Sequence, residues 1–100
     1  MAYQLLALYH HPESTAAFDK HYDEVHAPLA ARLPGLRSYT ATRPGGAELA
    51  YYLVAVLTFG DEAAFNTAMG SDVGQQAVTD LANFAGAGVT MLTGPADTVV

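Results

Sequence analysis

The sequence predicts an α+β domain of order β-α-β-β-α-β, with one antiparallel four-stranded sheet and its helices packed on one face. Three observations carry that reading. Two short runs, Tyr3–Tyr9 and Tyr51–Phe59, are apolar at both odd and even positions, as strands buried on both faces are. Each is followed by a capping residue and a stretch whose apolar residues recur at three- and four-residue steps, the period of a helix with one inward face. At 100 residues the chain has room for one domain.

The elements follow in order. Tyr3–Tyr9 ends at His10-His11-Pro12. Ser14 caps the first helix, whose apolar stripe is Phe18, Tyr22, Val25, Leu29 and Leu33. Pro28 lies late in that stripe and lacks an amide donor, so a kink or a tightened last turn is expected there. Pro34-Gly35 ends the helix. Leu36–Arg43 alternates as a second strand and Pro44-Gly45-Gly46 forms a turn. After Tyr51–Phe59, Asp61 caps a helix through Ala64, Phe65, Ala68 and Met69, which Gly70 breaks. Asp72 and Gln75 have the spacing of a capping box, and Val73, Ala77, Leu81 and Phe84 or Ala85 form the next stripe. Val89–Thr93 is the last strand, closed by Gly94-Pro95. This order is the ferredoxin-like split βαβ arrangement.

Two helical segments cover only one sheet face. Leu6, Leu8, Val54 and Val56 are left on the other. A bare apolar face of that kind invites association, and a second copy related by a two-fold axis is its simplest cover. Composition agrees. Hydrophobic residues are 51 % and charged residues 14 %, against about a quarter charged in ordinary domains.

Net charge is -6 and the four basic residues lie in one stretch, which argues against a nucleic-acid partner. The absence of cysteine removes disulfides, thiolate metal centres and thiol nucleophiles. No apolar run reaches membrane-span length, and no signal-peptide pattern opens the chain, so a soluble cytoplasmic protein is expected. Phosphate-loop, nucleophile-elbow and H-E-x-x-H motifs are missing. Gly86-Ala87-Gly88 leads into a strand rather than a helix, so no nucleotide cofactor is expected.

His10 and His11 are adjacent and point to opposite sides of an extended segment. His21 and His26 are five apart, about 140° around an α-helix. Neither pair chelates by itself, so no metal is expected. His26 sits at the margin of the stripe, near Tyr22 and Asp23, where a carboxylate neighbour can move its pKa and suit it to general acid/base work. Its plain alternative is a boundary histidine bonded to a backbone carbonyl. Tyr9, Tyr22, Tyr39, Tyr51 and Tyr52 are candidates to line an aromatic pocket, or else core and dimer packing. Asp80 has the ordinary reading of a solvated helix charge.

Several blocks of the chain resemble the EthD family, named for a protein linked to ethyl tert-butyl ether degradation. They are Leu8-Tyr9-His10-His11-Pro12, Tyr22-Asp23-Glu24-Val25-His26-Ala27-Pro28-Leu29-Ala30 and Leu33-Pro34-Gly35-Leu36-Arg37-Ser38-Tyr39. Tyr52-Leu53-Val54-Ala55, Phe59, Asp80-Leu81-Ala82-Asn83-Phe84 and Gly88-Val89-Thr90 follow in order. The H-x-P-L and L-P-G-L blocks together are the specific part. The resemblance, from about Tyr3 to Gly94, implies a homodimeric α/β barrel. It raises His26 to the leading catalytic candidate, with His11 and Asp80 next, while Tyr9, Tyr22, Tyr39 and Tyr52 stand as expected substrate contacts on their chemistry alone. Two positions depart from the family's pattern: Tyr52 stands where a histidine is common, and Val56 where an acidic residue is.

Three functions follow as expectations. One is an oxidoreductase or accessory oxygenation factor for a small apolar or aromatic molecule, with His26 as acid/base. The second is a lyase or isomerase using the same pocket. The third is a non-catalytic small-molecule binder. A cavity beside His26 favours the first two, and a filled core the third.

Overall fold

A computed structural model describes residues 1–45 and 50–100. Strand β1 is Ala2–His10. It is followed by α1 (Thr15–His21), a π-helical turn (Tyr22–His26) and α2 (Ala27–Ala30). Strands β2 (Leu36–Thr42) and β3 (Tyr51–Phe59), helices α3 (Glu62–Gly70) and α4 (Asp72–Phe84), and strand β4 (Val89–Ala96) complete the chain. The strands form one antiparallel sheet in the order β2-β3-β1-β4. This is the ferredoxin-like fold.

Strand β1 sits opposite β3 with Leu5 facing Leu57, Ala7 facing Ala55 and Tyr9 facing Leu53. Those odd-numbered residues are buried beneath the helices, where Phe18, Tyr22, Ala30, Leu33 and Ala68 join them in one core. The even-numbered residues line the other face: Leu6 pairs with Val56 and Leu92, and Leu8 with Val54. They are only partly covered within one chain, and Leu92 is half exposed.

The first helical segment departs from expectation. Pro28 brings no tightening at its own position, where the Ala31 amide bonds the Ala27 carbonyl. The ladder widens ahead of it, so that the Ala27 amide reaches back five residues to the Tyr22 carbonyl. Proline has no amide to give the carbonyl four residues behind it, and a π-turn resets the ladder by one residue. Tightening comes later, where the Arg32 and Leu33 amides bond carbonyls three residues back. The buried stripe shifts accordingly. Phe18, Tyr22, His26, Ala30 and Leu33 point inward, whereas Val25, expected in the stripe, is 44 % exposed.

Three smaller expectations also change. The cap of α4 is Ser71, whose hydroxyl accepts from the Gly74 amide, so Asp72 is the first helical residue rather than the cap. Strand β4 runs through Gly94-Pro95 to Ala96. Pro95 is tolerated because β4 is an edge strand, where a missing ladder donor is cheap. Strand β2 stops at Thr42, and the turn expected at Pro44-Gly45-Gly46 falls partly outside the described residues. Ser14 and Asp61 cap α1 and α3 as expected, accepting from the amides of Ala17 and Ala64.

The α3–α4 junction is tight. A Cβ on Gly74 would lie 2.2 Å from the Ala68 carbonyl oxygen, backbone that cannot step aside. Gly74→Ala is therefore expected to lower unfolding stability by about 1–3 kcal/mol, measured by urea denaturation with an unchanged slope.

Candidate functional site

The π-turn determines what the first helical segment presents to α4. In an α-helix His21 and His26 would diverge. Here one widened turn separates them, and both imidazoles reach the same carboxylate. His21 Nε2 is 2.8 Å from Asp80 Oδ1 and His26 Nδ1 is 3.0 Å from Asp80 Oδ2. Asn83, one turn on from Asp80, donates to Oδ1 at 3.0 Å. Asp80 is buried, contrary to its reading as a solvated charge. The Phe84 ring stacks on His21 at 5.1 Å between centroids and lies 4.7 Å from the His26 ring.

These contacts set the protonation pattern. Burial alone would raise the Asp80 carboxyl, but hydrogen bonds from Asn83, His21 and His26 outweigh it and hold it below its ordinary 3.8. The carboxylate accepts, so His26 donates from Nδ1 and leaves a lone pair on Nε2. That lone pair faces the Tyr9 hydroxyl at 3.4 Å. Burial, with Tyr39 and Asp80 nearby, pushes Tyr9 far above the ordinary phenol range, so it keeps its proton. Burial also lowers His26 below 6.5, partly offset by Asp80. The array at neutral pH is thus a neutral imidazole, oriented by an anion on one side and meeting a phenol on the other.

His26, Tyr9 and Tyr39 line an apolar cavity of about 40 Å³ between the helices and the sheet, walled by Leu5, Ala7, Ala55, Leu57 and Leu81. Val78 and Met91 form its outer rim and are 50 % and 42 % exposed. Tyr22 and Tyr39 share a hydrogen bond between their hydroxyls. Burial raises both groups, and each is therefore protonated at neutral pH.

The structure thus brings Tyr9, Tyr22, His26, Tyr39 and Asp80 together. It puts His11 and Tyr52 elsewhere. Their rings lie 5.6 Å apart, His11 is exposed, and the Tyr52 hydroxyl donates to both oxygens of Asp19 at 2.9 and 3.0 Å. Arg43 donates to the same Asp19 at 2.8 Å and lies over the Tyr52 ring. His21 and Asn83 were not anticipated as site residues. The one sequence signal for His21 was its five-residue spacing from His26 just ahead of a proline, which reads as convergent only in a π-turn. Among the described residues no group of three or more His, Cys, Asp or Glu is arranged to hold a metal ion, and no helix is long and apolar enough to cross a membrane.

The EthD domain family matches residues 10–88. A curated relative, an uncharacterized 11.0 kDa protein of the thcB-thcC intergenic region of Rhodococcus erythropolis, is 38 % identical over 98 % of both chains. Among solved structures, an EthD family protein of Bacillus halodurans C-125 superposes with a TM-score of 0.92 at 37 % identity, over 97 % of this chain and 100 % of the other. A dimeric ferredoxin-like protein from Thermobifida fusca gives 0.74 at 18 % identity, covering 94 % and 90 %. SnoaB of Streptomyces nogalater, described as a cofactor-independent oxygenase, gives 0.69 at 20 %, covering 98 % and 95 %. At these last two identities the likeness is one of fold.

Acid should weaken the fold in two steps. His26 is lowered in the folded state, so the unfolded chain binds more protons as pH falls below about 6.5, and stability drops with it. Asp80 adds a second loss at lower pH, once its depressed carboxyl is protonated. The variant His26→Gln should remove the first slope and keep the second, read from urea midpoints between pH 7.5 and 3.

Proposed function

The chain belongs to the EthD family, and we propose that it is an acid/base enzyme of the oxidoreductase class acting on a small apolar or aromatic molecule. The observation that carries this reading is the unprotonated Nε2 of His26, held by Asp80 at the wall of an apolar cavity. A neutral imidazole there accepts a proton and, as imidazolium, returns it.

The cavity sets the scale of what enters. Its 40 Å³ is far below the roughly 150 Å³ cavity that takes benzene. A substrate therefore places only its reacting group inside, with its body across the Val78 and Met91 rim. On substrate binding the Tyr9 hydroxyl turns from Nε2 to a substrate oxygen, which frees the Nε2 lone pair, and Tyr39 supplies a second hydroxyl. Neither Lys nor Arg lines the cavity, so the anion formed must delocalise its own charge, as an enolate or phenolate does.

The reaction balances with dioxygen as co-reactant. Nε2 removes a proton from carbon. The carbanion gives its electron pair to dioxygen in forming a C–O bond, and the resulting peroxide anion takes the proton back from His26. Carbon is oxidised and dioxygen is reduced to the peroxide level. SnoaB, described as a cofactor-independent oxygenase, has this same fold. Without dioxygen, the same proton steps amount to isomerisation or elimination, the second reading.

A panel of small enolisable ketones and phenols, followed in D2O by mass spectrometry and in parallel by an oxygen electrode, tests this. Deuterium uptake with oxygen consumption is the expected result, and uptake without consumption selects the isomerase reading. If native mass spectrometry finds a bound small molecule but neither signal appears, the chain is a binding protein and the proposal fails. His26→Gln should lower turnover by about two to four orders of magnitude. His26→Ala should also lose about 1–3 kcal/mol of stability, because one Asp80 oxygen is left short of a donor.

The open sheet face supports a homodimer as part of the same proposal. Leu6, Leu8, Val54, Val56 and Leu92 make one apolar surface across the three strands β3, β1 and β4. Sedimentation equilibrium should give twice the chain mass of 10.5 kDa, and Val54→Lys should shift it to monomer.

A further inference from the structure

Asp80 accepts from two imidazoles, and they differ in what they face. The His26 side chain is 7 % exposed and borders the cavity, whereas that of His21 is 26 % exposed and reached by solvent. One carboxylate carries one negative charge. It can stabilise a positive charge on either ring, but not fully on both.

We propose that His21 is a positioning residue of the site: it fixes the Asp80 carboxylate against His26 and, when protonated from solvent, draws that carboxylate's charge away from His26. The inference rests on the acid/base reading of His26 given above and extends it to a residue that does not border the cavity. The geometry makes the coupling specific. Nε2 of His21 is directed at Oδ1 and Nδ1 of His26 at Oδ2, so the rings communicate through one planar group. Phe84 contacts both rings.

The other groups facing the pair are few. Asp80 and Asn83 come from α4, Tyr9 from β1, and Tyr22 lies beside His26 at 5.7 Å between ring centroids. Both tyrosines stay protonated, so Asp80 is the only anion bonded to either imidazole among the described residues. Solvent pH then has a route to the buried base that does not pass through the cavity. Protonating His21 lowers the proton affinity of His26, so that a proton collected from substrate is more readily released to product.

The test needs no substrate, so its failure is separable from failure of the acid/base proposal. Nitrogen-15 NMR of the imidazoles reports tautomer and titration of each histidine in the intact protein. In the wild type, His26 should be the Nδ1–H tautomer, and the His21 and His26 titrations should each show the inflection of the other. His21→Gln keeps a donor toward Asp80 but cannot ionise. In that variant the His26 titration should become single-step and shift upward by about one pH unit. His21→Leu, which removes the donor as well, should in addition loosen the Nδ1–H signal. A purely structural role for His21 predicts a loosened signal in His21→Leu and an unshifted titration in His21→Gln. A His26 curve in His21→Gln that superimposes on the wild type, or an Nε2–H tautomer of His26 in the wild type, overturns the proposal.

Discussion

The contact on which the site depends is the Asp80 carboxylate lying across two imidazoles. It sits in a buried layer between the first helical segment and α4, where an unpaired charge would be costly. Three donors meet it, from His21, His26 and Asn83. Those bonds determine the tautomer of His26, and hence that its lone pair is on Nε2. Among the described residues no buried side-chain nitrogen or oxygen lacks a partner. The polar array is therefore closed on itself, and its reactive face is turned to the apolar side.

That arrangement is a consequence of backbone geometry upstream. Pro28 removes one donor from the ladder, and the chain answers with a five-residue turn over Tyr22–His26. The turn moves Val25 out to solvent and His26 in, and it brings His21 and His26 to the same Asp80 carboxylate. π-turns recur at functional sites because they place side chains where a regular helix cannot. Here the irregularity converts two divergent histidines into partners of a single anion. The sheet beneath supplies the rigid half: Tyr9 on the central strand β1 and Tyr39 on β2 sit at inward positions dictated by the period of two.

The two faces of that sheet divide the work. The inward face carries large residues at its ends and alanines in the middle, Ala7 opposite Ala55, and the cavity lies where those small side chains leave room. The outward face carries Leu and Val at its centre, suited to packing, with the hydrogen-bonded pairs Gln4–Thr58 and His10–Thr90 toward its two ends. A second cluster, Asp19 with Arg43 and Tyr52, ties the start of β3 to α1. His11 packs on that cluster rather than on the cavity.

By itself the sequence determined the element order and the two apolar sheet faces, because those follow from local periodicity and from capping residues such as Ser14 and Asp61. It also singled out His26, through its neighbours in the His26-Ala27-Pro28-Leu29 block. It did not determine the partnership of His21 with Asp80, the burial of Asp80, or the separation of His11 and Tyr52 from the cavity. Those depend on side chains 33 to 59 positions apart in sequence and on a helical turn whose period is neither 3.6 nor 2. Periodicity arguments assume a regular ladder, and a single proline broke that assumption at the position where the site is built. Only the packed tertiary structure decides where the displaced side chains go, because burial makes their hydrogen bonds obligatory.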